Sequence, residues 1–311
     1  MMGRSRLCYG ATGICVALIL GLAFAGCREE QKRFGQGPVD LTKWTAINYI
    51  YPDNQQPTAN WTLSDDKLSV TQTVNADPSI FISDRDLLDT SISGTWLVTD
   101  SGDDDFIGFV FAYQNPGRFY LFDWKGKAQD DPKVGRAEQG MCVKVVDAPY
   151  AGKLEPGKPF DGKDLWHTQG VAGKVKLLHH EPTEGWTVQK PYHFQLDFHP
   201  GNFRIVVKDG DRVIYDKAFR DAAYTTGRFG FYNFSQGGVV YKGFQTLELP
   251  SEAGYTWLVT PWPIVPIVLL LLCFAFMVVV VVCIKRSSRK DEEREPSHEG
   301  EEGQESKQEK E

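Results

Sequence analysis

Between residues 36 and 250 the chain is a succession of short strand-like segments separated by glycine, proline and aspartate turns. In residues 192–198, aromatic and aliphatic side chains alternate with polar ones, and this period of two predicts a strand with one buried face. Asp209-Gly210 separates two apolar runs and predicts the turn of a hairpin. Helical periodicity is not evident in this region, so the sequence predicts an all-β domain, either a sandwich or a barrel. The remaining predicted strands are Leu68–Val74, Thr95–Thr99, Phe106–Tyr113, Arg118–Lys125, Met141–Val146, Lys174–His179, Phe203–Val207, Arg212–Tyr215, Arg228–Asn233 and Gly243–Leu249.

Residues 40–250 are predicted to form one domain, because about 210 residues are enough for a two-sheet core and no linker or repeat divides them. Cys142 is the only cysteine well inside this region, so we expect no internal disulfide there, and its apolar neighbours predict burial. Aromatic side chains crowd two segments of the domain. A row of aromatics can stack on sugars, but in a large sandwich such a row favours interior packing. These residues are Phe119, Tyr120, Phe122, Trp124, Phe229, Phe231, Tyr232 and Phe234.

The amino terminus has the layout of a secretory signal in residues 1–26, with two arginines followed by an uncharged stretch. The small residues on either side of Phe24 fit cleavage after Ala25. The same segment is also similar to a bacterial lipoprotein box, in which Cys27 would be lipidated. Both alternatives stay open, as does a retained amino-terminal anchor. Residues 27–39 are then a short linker to the β domain.

The carboxy-terminal part contains a predicted transmembrane helix. Residues 264–284 carry no charge and are almost purely aliphatic or aromatic, and as a helix they would span about 31 Å, close to the thickness of a bilayer core. Tyrosine and tryptophan in the juxtamembrane segment, residues 251–263, suit the membrane interface. Lysines and arginines follow the helix directly, which places the carboxyl terminus in the cytoplasm by the positive-inside rule. The sequence therefore predicts a single-pass, type I membrane protein with its β domain exported to the extracellular or periplasmic side.

Charge and composition restrict the partners. The tail, residues 285–311, is rich in Glu, Lys, Ser and Gln and has no aromatic residue, so it is predicted to be disordered. The formal net charge of the whole chain is −7, which argues against nucleic acid or anionic lipid as the main partner. The oligomeric state is not predicted by any pattern in the sequence.

A run of three aspartates directly before an apolar strand is the most specific candidate site. Asp103, Asp104 and Asp105 repel one another, so they must either extend into water or surround a hard cation such as calcium, which prefers oxygen ligands. Asn75 and Asp77 lie in another loop and could add side-chain oxygens if the two loops meet. The alternative for this second loop is an Asx turn before a proline.

Six segments of the chain occur in the same order in a known family. With these motifs the chain resembles the carboxy-terminal, lectin-like domain of thrombospondins over roughly residues 40–248. The matching segments are Gln72–Pro78, Asp103–Gln114, Arg118–Lys125, Leu165–Thr168, Lys174–Leu178 and Gly227–Gln236.

The resemblance implies a two-sheet, concanavalin A-like jelly-roll β-sandwich that binds structural Ca²⁺. It raises the expectation of calcium at Asp103, Asp104 and Asp105. It also implies a role in adhesion or matrix contacts. The Asp-rich calcium repeats, the linking cysteines and the coiled coil of the family do not occur in this sequence, so multivalent matrix adhesion is not carried over.

Three functional hypotheses remain. The first is a cell-surface, calcium-binding, lectin-like module that recognises an extracellular glycan, matrix or envelope ligand. The second is a structural or scaffold subunit of an envelope complex. The third is a glycan-cleaving enzyme, which is disfavoured because no predicted strand carries the pair of carboxylates that a retaining glycosidase requires. We therefore expect no catalytic residues.

Overall fold

The computed structural model describes residues 33–50, 56–100, 102–132, 134–148, 160, 162–251 and 278. The chain divides into two compact units, Met1–Glu252 and Ala253–Glu311. In the second unit the one described residue, Val278, is helical. The predicted signal, Cys27, the tail and, apart from Val278, the predicted transmembrane helix lie outside the described residues and stay predictions. Among the residues that are described, no helix has the length and apolar character needed to cross a membrane.

The first unit is built from antiparallel β-strands, which confirms the all-β prediction. Within the described residues a short 3₁₀ helix, Gly162–Leu165, interrupts them. In chain order the strands are β1 (Gly37–Pro38), β2 (Thr45–Asn48), β3 (Trp61–Leu63), β4 (Ser69–Gln72), β5 (Ser79–Leu87), β6 (Thr90–Val98), β7 (Phe106–Asn115), β8 (Arg118–Lys125), β9 (Gln129–Asp131), β10 (Gly135–Ala137), β11 (Gly140–Asp147), β12 (Gly170–Val171), β13 (Val175–Glu181), β14 (Pro191–His199), β15 (Asn202–Asp209), β16 (Arg212–Arg220), β17 (Gly227–Phe234) and β18 (Val239–Glu248).

Two large sheets form a sandwich. The front sheet has the order β16-β15-β14-β6-β18-β4-β3, with β1 added beside β18. The back sheet has the order β12-β13-β11-β8-β7-β17-β5-β2. Strands β9 and β10 form a separate hairpin. Neighbours such as β6 and β18 are far apart in sequence, so the sandwich depends on non-local pairings.

Aromatic side chains fill the space between the two sheets. Trp96 stacks on Phe194 with ring centroids 5.0 Å apart, and Phe109 stacks on Phe122 at 4.9 Å. These side chains belong to one buried cluster that draws on both sheets. The eight aromatics predicted to be interior are all buried, which confirms that they are packing residues and not a sugar-stacking surface.

The back sheet is also covered on its other face. Phe119 and Leu121 alternate with Tyr120 and Phe122 along β8, and the first pair belongs to a second buried cluster. Loop residues such as Trp166 complete this cluster. Since β8 is buried on both faces, its residues Phe119–Phe122 are all apolar or aromatic and do not alternate with polar ones.

Strand β5 is the largest element that the sequence patterns did not predict. Ser79 and Ser83 are buried within it although serine is usually exposed. Ser83 Oγ donates a hydrogen bond to the backbone oxygen of Arg85 and accepts one from the backbone nitrogen of Phe229. These bonds satisfy a polar group in the interior, and they depend on a strand more than 140 residues away, which no local pattern reveals.

Candidate metal centre

The aspartate run lies in the loop between β6 and β7, at one end of the sandwich. Carboxylate oxygens of Asp103, Asp104 and Asp105 all lie within 4.8 Å of one another. Asp103 and Asp104 are half-buried, whereas Asp105 is only 3% exposed. The sequence therefore predicted a real cluster, and β7 holds it in place because Asp105 directly precedes the first residue of that strand.

Backbone contacts hold the loop rigidly. The backbone nitrogen of Gly126 donates to the carbonyl oxygen of Asp104 at 2.8 Å. The indole nitrogen of Trp186 donates to the carbonyl oxygen of Asp105 at 3.0 Å. A Cβ on Gly185 would lie 1.6 Å from the carbonyl oxygen of Gly126, so the two backbones can approach only because residue 185 is a glycine.

Asn75 and Asp77 have different positions. Asn75 meets the aspartate run, because its Nδ2 donates to Asp103 Oδ2 at 2.6 Å. Asp77 does not belong to the group of three close carboxylates, and its Oδ1 instead accepts a weak hydrogen bond from the backbone nitrogen of Gln56 at 3.4 Å. The structure therefore brings the two predicted loops together through Asn75.

A third segment, residues 235–238, also takes part and was missed by the sequence analysis. Ser235 Oγ donates to Asn75 Oδ1 at 3.3 Å, and Ser235 adopts a positive φ of 57°. Gln236 is fully buried and its Nε2 lies 3.4 Å from the carbonyl oxygen of Asp100. Its Oε1 has no hydrogen-bond partner among the described residues. The segment follows β17 and begins at the end of the motif Gly227–Gln236 that resembles the family. This position was the only feature of the sequence that could have indicated its part in the site.

Two lysines face the carboxylates. Lys125 is fully buried and its Nζ bonds to Asp105 Oδ1, and the same nitrogen lies 3.7 Å from Asp104 Oδ1. Lys127 is largely exposed, with its Nζ 3.3 Å from Asp104 Oδ2. Lys125 also lies over the rings of Phe106 and Trp166, at 5.1 Å and 4.9 Å from their centroids. Part of the repulsion among the carboxylates is thus relieved by the protein itself.

Burial raises the pKa of Asp105 to about 7. Lys125 opposes this rise through its charge and its hydrogen bond, whereas the negative charge of Asp103 adds to it. Desolvation is the larger effect, because taking a carboxylate out of water disfavours its charged form. Asp105 is therefore anchored by Lys125, and Asp103 and Asp104 present the more accessible oxygens.

The donor set suits a hard cation. All candidate ligands offer oxygen, and in the part of the chain that the structure describes no cysteine or histidine joins the cluster of close carboxylates. Calcium accepts six to eight such oxygens from carboxylates, amides, carbonyls and water. The buried and unpartnered Gln236 Oε1 is a further oxygen at this end of the sandwich. The residues present therefore fit calcium. Asp105 has fewer oxygens free for the ion than the sequence predicted, because its Oδ1 is bonded to Lys125.

Another pair of buried charges lies on the outer side of the back sheet, close to the aspartate run, because Lys144 and Lys125 both lie over the ring of Phe106. Lys144 Nζ lies 2.7 Å from Asp123 Oδ2, and both side chains are buried. Burial raises the pKa of Asp123, an effect that Lys144 opposes. Cys142 lies beside this pair, and burial raises the pKa of its thiol to about 12. These groups are closed to solvent and have the character of structural pairs.

The chain was compared with known proteins. The sequence model of the thrombospondin C-terminal region matches residues 56–247. Thrombospondin-1 of Xenopus laevis is 32% identical over 211 residues, which cover 65% of this chain and 18% of that protein. Human thrombospondin-2 is 34% identical over 191 residues, covering 59% of this chain and 16% of that protein. Mouse cartilage oligomeric matrix protein is 29% identical over 218 residues, covering 67% and 28%.

Similar solved structures include the exoplasmic/lumenal domain of VIP36 in a Ca²⁺/Man-bound form, at a TM-score of 0.42 and 12% identity, covering 67% of this chain and 83% of that one. A carbohydrate-binding module, CBM66 from Bacillus subtilis, matches with a TM-score of 0.42 and 14% identity, covering 66% and 95%. The sequence matches to the thrombospondins cover only 16–18% of the length of those proteins, but they cover most of the β domain of this chain. Since the family match extends over more than half of the 311 residues, the chain belongs to the thrombospondin C-terminal region family.

Proposed function

We propose that the β domain is a calcium-stabilised, non-enzymatic binding module that is exported and displayed at the membrane surface. The observation that carries the proposal is the meeting of Asp103 with Asn75 beside Asp104 and Asp105, inside the region matched by the family. In this arrangement a divalent cation would join the loop before β7 to the loop that follows β4. Its charge would offset the carboxylate repulsion that the two lysines leave.

The calcium ligands proposed are the side chains of Asp103 and Asp104, with the remaining oxygen of Asp105. Asn75 and Asp77 are the candidates for oxygens from the second loop. Bound calcium would supply structural cross-linking and no chemical step. The membrane anchor is proposed from the apolar residues 264–284, with lipidation of Cys27 as an alternative or additional attachment.

The calcium role is tested by thermal unfolding of the full-length protein in calcium and in chelator. A ligand that binds only the native state at one hundred times its Kd stabilises it by about 2.7 kcal/mol. For a domain of this size we expect the Tm to rise by about 5–10 °C. Isothermal titration with calcium provides an independent measure of binding.

A matched pair of variants assigns the effect to the site. Asp103→Asn with Asp104→Asn should abolish most of the rise in Tm, because amides keep the shape but remove the charge. Asp65→Asn with Asp211→Asn changes two exposed aspartates elsewhere and should leave the rise intact. An equal Tm in calcium and chelator, or an unchanged rise in the first variant, would show that the aspartate run is not a calcium site.

A further inference from the structure

The outward face of the front sheet carries a positive patch, in contrast to the chain's net charge of −7. Alternation along the strands places Lys208 and Arg204 of β15, Arg220 of β16 and Lys242 of β18 on this face, and all four are exposed. Two aspartates share the face, and both are engaged by neighbouring side chains. Asp216 pairs with Arg204, and Asp197 accepts hydrogen bonds from Ser91 and Gln195.

One transverse row on this face has a lysine at each end. Strand pairing sets Lys208 opposite His193, His193 opposite Thr95, and Thr95 opposite Lys242. Neighbouring strands are about 4.8 Å apart, so the backbones of the two lysines are about 14 Å apart. Thr95 Oγ1 and His193 Nδ1 lie 2.8 Å apart, which fixes the imidazole ring in the middle of the row. Neither lysine has an ion-pair partner within the described part of the chain.

The next row adds hydrogen-bonding groups. Gln195 lies opposite Ser93 on one side and opposite Val206 on the other. Beside Ser93, a bulge in β18 introduces Gly243, which has a φ of 69° and no side chain. The small residues leave a hollow of about 320 Å³, lined by Ser93, Thr95, His193, Gln195, Lys208 and Gly243 among others.

The groups that line the hollow indicate which class of ligand it can bind. Strands β6, β14, β15 and β18 each have partners on both sides, so an extended peptide cannot add to this part of the sheet. Among the described residues no carboxylate lines the hollow, whereas an ammonium group, an imidazole, an amide and hydroxyl groups do. Such groups bind a ligand that carries both hydroxyl groups and negative charge.

We propose that this hollow binds an acidic saccharide, whose sulfate or carboxylate groups pair with Lys208 and Lys242 and whose hydroxyls bind Ser93 and Gln195. The inference rests on the proposed role as an exported binding module and adds the class of ligand and the surface. The face lies on the front sheet and does not include the aspartate run. Saccharide binding and calcium stabilisation can therefore be lost separately.

The test is isothermal titration of the full-length protein, in a neutral detergent, with four probes of similar size. They are a chondroitin sulfate tetrasaccharide, the unsulfated chondroitin tetrasaccharide, neutral maltotetraose and a hexaglutamate peptide. We expect binding of the two acidic saccharides, no measurable binding of maltotetraose, and at least tenfold weaker binding of the peptide. Raising sodium chloride from 50 to 500 mM should weaken saccharide binding, since exposed charges are screened.

Variants locate the site. Lys208→Gln with Lys242→Gln should weaken saccharide binding at least tenfold, whereas Lys43→Gln with Lys67→Gln, two exposed lysines in turns elsewhere, should change it less than twofold. Ser93→Ala should weaken binding severalfold without changing its salt dependence. Equal binding by maltotetraose, equal or tighter binding by hexaglutamate, absence of binding by both acidic saccharides, or an unchanged affinity in the first variant would each overturn the proposal.

The two proposals fail in different ways. The Tm in calcium and chelator is measured on the same protein preparations. A normal calcium response without saccharide binding overturns only the saccharide site. Saccharide binding without any calcium response overturns only the calcium role.

Discussion

The buried pair of Lys144 and Asp123 allows a demanding test of how this domain is held together. Their side chains are 0% and 1% exposed, and Lys144 Nζ also donates to the carbonyl oxygen of Leu165 at 3.3 Å. Lys144→Met leaves a carboxylate in the interior without its cation. Breaking such a pair costs about 3–5 kcal/mol, which lowers the Tm of a domain of this size by about 6–20 °C.

The double variant separates charge from packing. Replacing both partners, with Lys144→Met and Asp123→Leu, removes the two charges together and fills the space with apolar atoms. Such replacements are neutral or stabilising in other proteins, so the double variant should be more stable than either single variant. The expected coupling energy is about 3 kcal/mol. It is obtained from urea unfolding of the wild type, the two single variants and the double variant, with tryptophan fluorescence as the signal.

The pH dependence of stability tests whether the buried charge of Asp123 causes the loss of stability in Lys144→Met. Burial raises the pKa of Asp123 from its usual 3.8, so the folded state binds this proton more tightly than the unfolded state does. Stability linked to that proton is complete below the unfolded pKa and is lost as pH rises towards the folded value. Lys144→Met removes the largest effect that opposes the rise in the pKa of Asp123, so the deficit in stability relative to wild type should be smaller at pH 5 than at pH 8. If the effects of the two single variants simply add, or if the deficit does not depend on pH, the buried charge of Asp123 is not the cause of the lost stability.

Two further predictions concern packing. Because burial raises the pKa of the Cys142 thiol to about 12, a thiol reagent at pH 8 should react with Cys142 only on unfolding, with a rate that increases in urea. Fast labelling of Cys142 itself in the native protein, located by peptide mapping, would contradict this burial. Gly185→Ala places a methyl group against the backbone of Gly126 and should cost more than about 3 kcal/mol, whereas Gly35→Ala has free space and should cost less than about 1 kcal/mol; equal midpoints in thermal unfolding would count against the close backbone contact.

Much of the fold was predictable because strand patterns are local. The predicted bounds of β8 agree with the observed strand at both ends, and the Asp209-Gly210 hairpin is present between β15 and β16. Burial of Cys142 was also predicted correctly. Strand β5 was missed because its buried serines depend on distant partners, and no local signal distinguishes them from exposed serines.

Part of the candidate metal centre was also predictable, because the aspartate run is a local feature of the sequence. Three adjacent aspartates are visible in any reading of the sequence, and their closeness follows from the chain itself. The contact of Asn75 with Asp103 required two loops to meet, and the pairing of Lys125 with Asp105 required strands β7 and β8 to align. A lysine inside an apolar strand was the available clue that a buried carboxylate lies nearby.

The all-β character of this domain, its family and its acidic loop are visible in the amino-acid sequence, because alternation, turns and motifs are properties of neighbouring residues. Which oxygens lie together at one end of the sandwich, and which cations lie on one face, depends on how distant strands pair. Lys208 and Lys242 are 34 positions apart in the chain, and the register of β15, β14, β6 and β18 alone sets them in one row. Hydrogen bonds between distant strands fix that register, and local patterns contain no record of it.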